Sequence, residues 1–151
     1  MNMADQSQLQ IIVFELDKKL YGVDIGQVKE ITEIKDVAPV PNAAPFVEGV
    51  TNLRGQVTTV IDLRRRLGLP PKAHDKESRM IILETKKGLV GTIVDSVSDV
   101  SMLPRKDIEN TPELVSSTDA DQSFVQGVGK KDDDLILLVD LQSLATSGLR
   151  A

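Results

Sequence analysis

Cysteine and tryptophan are absent from this chain, and histidine occurs once, as His74. Without cysteine there is no disulfide framework, no thiolate metal site and no cysteine nucleophile. A lone imidazole in a polar stretch has no partner for metal binding or catalysis, so His74 is assigned no role. Aromatic residues are only 3% of the chain, which leaves Val, Ile and Leu to build the interior. Long apolar runs are missing too. The most continuous, LILLV at residues 135–139, falls far short of the ~18 residues of a membrane span and suits one buried strand. The first ten residues, MNMADQSQLQ, lack the apolar core of a secretion signal. Basic charge is in deficit, with 18 basic against 23 acidic residues and a net charge of -5. That balance argues against a protein that tracks nucleic-acid phosphates. No GxGxxG, P-loop or GxSxG motif is present. These absences predict a cytoplasmic protein with no cofactor, no metal, no nucleic-acid partner and no direct membrane insertion.

What is there is β-prone. Hydrophobic residues make up 40% of the 151, in short runs broken by 10 Gly and 7 Pro, a pattern that favours a mainly β domain over a helical bundle. IIVFEL and LYGVDI, separated by Asp17-Lys18-Lys19, read as a hairpin. In residues 26–32, Val28 and Ile31 fall three apart, which predicts one helical turn. Pro39, Pro41 and Pro45 then impose an extended connector. Residues 46–63, FVEGVTNLRGQVTTVIDL, read as a second hairpin with Asn52-Leu53-Arg54-Gly55 at its charged tip. Asp62 caps a short helix, LRRRL, stopped by Gly68 and Pro70-Pro71.

From Met80 the pattern begins again. MIILETKKGLVGTIVDSVSDV laid over IIVFELDKKLYGVDIGQVKEI, a shift of 69 residues from Ile11 to Met80, superposes Glu84 on Glu15, Gly91 on Gly22, Val97 on Val28 and Val100 on Ile31 without a gap. Further on the shift is 78, from Phe46 to Phe124, matching Gly127 to Gly49 and Asp140-Leu141 to Asp62-Leu63. The extra residues fall between Ser101 and Ser123, where Pro104, Pro112 and a Ser/Thr/Asp cluster mark a loop. The chain is therefore expected to be one domain with repeat unit one at about 9–68, a linker at 69–78 and repeat unit two at about 79–146. Units this small bury too little surface alone, so two small five-stranded β-barrels with short helices, packed about a pseudo-two-fold axis, are the economical architecture. Whether each barrel is one repeat or exchanges strands with the other is open at this level.

The repeat also serves as a control. Positions alike in both copies, such as Gly22/Gly91 and Gly49/Gly127, answer to the scaffold, since glycine inside a strand marks a bulge or a close backbone approach. The Asp62/Asp140 pair has two readings. The carboxylates cap two helices, or they form the shared-proton dyad of a small hydrolase. The Leu that follows each Asp, where acid proteases have Thr-Gly or Ser-Gly, favours caps. At the tips the copies part: Asn52-Leu53-Arg54-Gly55 is answered by Lys130-Lys131-Asp132-Asp133. The turn does not require Arg54. Arg64-Arg65-Arg66 reads as a solvated helix face, and the run Asp132-Asp133-Asp134 lacks the alternating ligands of a calcium loop.

With these residues in place, the sequence resembles the CheW family of chemotaxis coupling proteins. The likeness rests on YGVDI through VKEI, FVEGVTNLRG followed by VIDLR, VDSVSDV and ILLVDL, and covers residues 9–144. One departure is Thr58-Thr59, where relatives usually place a proline. The resemblance implies twin β-barrels and a non-enzymatic adaptor that ties the cytoplasmic tips of membrane chemoreceptors to the regulatory domain of the histidine kinase CheA. It also implies a location at membrane receptor arrays, reached through those partners. It places Val28, Glu30, Arg54, Val97 and Val100 on the receptor-facing surface, and Gly49 and Gly127 on the kinase-facing one. The related alternative is the CheW-like module of another adaptor or kinase.

Overall fold

The computed structural model describes residues 7–109 and 124–146. The chain opens with a hairpin of β1 (Gln8–Leu16) and β2 (Lys19–Asp24). Its two turn residues, Asp17 and Lys18, have φ of 52° and 67°, left-handed values whose twist matches the flanking strands. A 3-10 turn, Ile25–Gln27, leads into β3 (Val28–Thr32). The second hairpin is β4 (Val47–Leu53) and β5 (Gln56–Asp62), followed by the short helix α1 (Leu63–Arg66). The pattern then recurs as β6 (Arg79–Thr85), β7 (Gly88–Val94) and β8 (Ser96–Pro104), a 3-10 turn and the two-residue β9 (Ile108–Glu109). β10 (Val125–Lys131), β11 (Asp134–Val139) and α2 (Leu141–Thr146) complete it. Of the loop expected between Ser101 and Ser123, the first part is regular structure, with β8 running on through Pro104 into the 3-10 turn and β9, and residues 110–123 lie outside the described residues. No helix among those described is long and apolar enough to cross a membrane.

One expectation is corrected. Val28 and Ile31 lie on a strand, and the helical turn precedes them. The three-residue spacing comes from a β-bulge: Val28 stands opposite Leu83, Glu30 opposite Ile82 and Ile31 opposite Ile81, so Lys29 is the unmatched extra residue. The bulge returns Ile31 to the face of Val28, which imitates a helical period in the sequence.

The strands form two sheets, ordered β8-β1-β2-β11-β10-β9 and β3-β6-β7-β5-β4. Each sheet takes its first hairpin from one repeat and its remaining strands from the other. The exchange is symmetric to the residue. Leu137↔Tyr21 and Leu138↔Gly22 in one sheet are the repeat mates of Thr59↔Val90 and Val60↔Gly91 in the other. Likewise Phe14↔Val97 and Ile12↔Val100 answer Leu83↔Val28 and Ile81↔Ile31. Each sheet curls, and an extension of its outer strand closes it. Ala38 bridges to Val50 of β4 with hydrogen bonds of 2.8 and 2.9 Å, and β9 pairs with β10 at Glu109↔Val128. Thr58 and Thr59 pair regularly with Thr51 and Val50, so the missing proline leaves no irregularity.

Alternation on these strands sorts the core into three parts. Met80, Ile82, Val60 and Ile93 fill one barrel, and Ile11, Val13, Leu103 and Ile136 fill the other. The opposite faces, including Phe14, Leu16, Ile61, Ile81, Leu83 and Val139, meet in a shared cluster roofed by Leu63 of α1 and Leu141 and Leu144 of α2. At its margin Tyr21 stacks on Phe14 with ring centroids 5.7 Å apart. Burial first, and the charge of Asp17 second, push the Tyr21 phenol above its ordinary value near 10. A raised folded pKa means full stability below about pH 10 and loss as pH climbs through the folded value. Tyr21→Phe is expected to remove that part of the alkaline loss, read as a shallower fall of the denaturation midpoint above pH 10.

Candidate functional site: edge strands and a charged tip

The β4–β5 hairpin closes at Leu53↔Gln56, leaving Arg54 and Gly55 as its turn with φ of 51° and 86°. Asn52 Oδ1 accepts from the Gly55 amide at 2.8 Å and fixes the turn. Two positive φ values suit Asn, Asp or Gly, and arginine at the first costs on the order of 1 kcal/mol. The repeat mate, Asp132, has φ of 52°, so the backbone shape is shared and only the side chain differs. The Arg54 side chain is 74% exposed and its Nη1 donates to Glu30 Oε1 at 2.5 Å. Glu30, 19% exposed, comes from β3, so this ion pair joins the two outer strands of one sheet.

The valines occupy β3 and β8, which lie at sheet edges. Val28 faces Leu83 and Val97 faces Phe14, and both pack partly buried against the shared cluster. Val100 faces the buried Ile12 yet is itself 47% exposed, so it carries the cluster's apolar character to the surface. Glu30, opposite Ile82, sits on the other face of β3 from Val28 and Ile31. The edge strands thus display apolar residues on one face and the Arg54–Glu30 pair on the other. Met102, two residues beyond Val100 and similarly exposed, extends the same strip, and no motif in the sequence points to it. A period of two from Val100 finds it once the segment is known to be a strand.

Gly49 and Gly127 are buried at the barrel closures, against the Ala38 and Glu109 carbonyls. The two aspartates act as caps. Asp62 Oδ1 accepts from the Arg64 amide at 3.0 Å, and Asp140 Oδ1 accepts from the Ser143 amide and from Gln27 Nε2. Asp62 caps α1 and Asp140 caps α2, and no hydrogen bond joins the two, which removes the basis for a dyad. The arginine run is not a solvated face. Arg64 is only 8% exposed and bonded to Asp95 and Asp17, Arg65 pairs with Glu48 and Asp62, and Arg66 lies over the Phe46 ring at 5.2 Å.

Fold and site together define a twin-barrel β scaffold whose distinctive surfaces are edge strands and one hairpin tip. The CheW-like domain family matches residues 10–148. The chemotaxis protein CheW of Bacillus subtilis (strain 168) is 39% identical over 89% of this chain and 85% of its own length. That of Treponema pallidum (strain Nichols) is 29% identical over 95% and 86%. The crystal structure of the scaffolding protein TtCheW from Thermoanaerobacter tengcongensis superposes with a TM-score of 0.81 at 38% identity, covering 90% of this chain and 91% of that one. The chain belongs to the CheW family of chemotaxis scaffolding proteins.

Proposed function

We propose that this protein couples the cytoplasmic tips of chemoreceptors to the regulatory domain of CheA by contact alone, without chemistry of its own. It works in the cytoplasm and joins membrane receptor arrays through its partners. Val28, Val97 and Val100 supply apolar anchors for an amphipathic receptor helix, while Glu30 and Arg54, on the other face of the β3 edge, orient it from its flank. Gly49 and Gly127 bear on the kinase contact through the barrel closures they permit. The observation that carries this reading is Arg54: an exposed arginine at a left-handed turn position where the second repeat places aspartate. The turn keeps its shape with aspartate in the second repeat, and the ion pair of so exposed an arginine with Glu30 adds little stability, so a partner is its natural use.

The test is a pull-down of receptor hairpin and CheA regulatory domain with purified Arg54→Ala protein. Stability is expected to change by no more than about 0.5 kcal/mol, as at a surface site. Ternary complex formation is expected to weaken about tenfold, as when a charged contact that sets orientation is lost. A folded Arg54→Ala protein that assembles like the parent would overturn the assignment.

A further inference from the structure

His74, unassigned in the sequence, meets two carboxylates. Glu48 on β4, Asp62 at the end of β5 and His74 in the segment between α1 and β6 each bring one donor atom to within 4.8 Å of the others. His74 Nε2 stands 3.6 Å from Glu48 Oε1, beyond a hydrogen bond. Two ligands each ~2.0 Å from a tetrahedral zinc ion lie about 3.3 Å apart, so the spacing suits an ion between them. Asp62 is buried, with its Oδ1 fixed by the Arg64 amide and its Oδ2 paired with Arg65, so Oδ2 is the atom it would offer an ion once that guanidinium withdraws. These side chains line a cavity of about 400 Å³.

The place of a cation is held at present by Arg65. Its Nη2 lies 3.0 Å from Glu48 Oε1 and its Nε 3.4 Å from Asp62 Oδ2, and Nη1 donates to the Pro45 carbonyl at 3.2 Å. The Arg65 side chain is 44% exposed, so it can withdraw to solvent. Lys72, also on the cavity wall, is turned to Asp75 at 3.5 Å. We propose that Glu48, Asp62 and His74 form a site for one divalent transition ion of the zinc class, with water completing the shell and Arg65 as its competitor. The mixed nitrogen and oxygen donors favour zinc over the all-oxygen cations calcium and magnesium. Bound metal would pin the segment joining the two repeats to the β4–β5 hairpin.

The experiment uses untagged, EDTA-treated protein titrated with Zn²⁺ by calorimetry and with Co²⁺ by visible absorption. One ion per chain is expected, with affinity reduced at least about tenfold in His74→Ala and Glu48→Gln, as for loss of a ligand. Arg65→Ala is expected to bind several-fold more tightly than the parent, because the competing guanidinium is gone. Added Zn²⁺ should raise the denaturation midpoint of the parent and not that of His74→Ala. Absence of saturable binding, binding indifferent to His74→Ala, or binding that appears only in Arg65→Ala would each overturn the site and leave an ion-pair network.

Discussion

Gly49→Ala is expected to remove about 3–5 kcal/mol of stability, a large part of what a domain of this size possesses. Gly49 has φ of 152°, in the region that side chains avoid, and a Cβ there would overlap the Ala38 carbonyl oxygen and lie 2.7 Å from its carbon. Both obstacles are backbone, so no rotamer change relieves them. To make room the connector must leave β4, and the two hydrogen bonds between Ala38 and Val50 go with it. The strained backbone accounts for about 1–3 kcal/mol and each lost bond for about 1. Gly55→Ala is the internal control, since Gly55 has φ of 86° but a Cβ there would meet nothing within 4 Å. It should cost only the conformational part, about 1 kcal/mol. Denaturant unfolding of both variants checks the comparison. Equal losses would mean that steric closure at Ala38 contributes nothing.

The same glycine shows how far the sequence can be read. Its recurrence as Gly127 marks a scaffold position, and a Cβ at Gly127 would meet the Glu109 carbonyl oxygen at 2.8 Å, the equivalent closure in the other barrel. Hairpins and the Asp62 cap are legible because each is written in residues near one another in the chain, and the repeat because its two copies can be laid over each other without knowing how they pack. β3 is not, because the bulge at Lys29 spaces Val28 and Ile31 like a helical turn. The exchange of hairpins between sheets is equally hidden, since two similar copies offer the same pairing surfaces and the choice depends on how the connectors run. Met102 escapes for the same reason as β3: its segment does not declare itself a strand. Of the site residues, Arg54 and Glu30 stand 24 positions apart, and only the fold brings the β4–β5 tip onto β3.

Arg64 departs furthest from its sequence reading, and its replacement carries the second large effect: Arg64→Ala is expected to cost about 3 kcal/mol. Three arginines in succession look alike in sequence, but this one is turned inward by partners 47 and 31 residues away. Its Nε donates to Asp95 at 3.0 and 3.3 Å, its Nη2 to Asp17 at 3.4 Å, and its Nη1 to the Pro70 carbonyl. Asp95 accepts in turn from the Asp17 amide at 2.9 Å, so one carboxylate holds the β1–β2 turn while the guanidinium holds the carboxylate. Arg64 follows β5 and Asp17 follows β1, which belong to different sheets, and the clamp therefore fixes one barrel against the other. Removing the arginine strands Asp95, whose side chain is only 14% exposed, and breaking such a pair costs more than the pair itself contributes. Arg64→Lys should recover only a minor part, because an ammonium cannot serve Asp95, Asp17 and Pro70 together. Asp95→Asn in the Arg64→Ala background should restore about 1 kcal/mol by withdrawing the unpaired charge, a coupling a double-mutant cycle measures directly. Hydrogen exchange adds a local readout: the Asp17 amide should lose protection in Arg64→Ala before the core strands do. A loss below about 0.5 kcal/mol with unchanged Asp17 protection would show that the barrels are held by the shared apolar cluster alone.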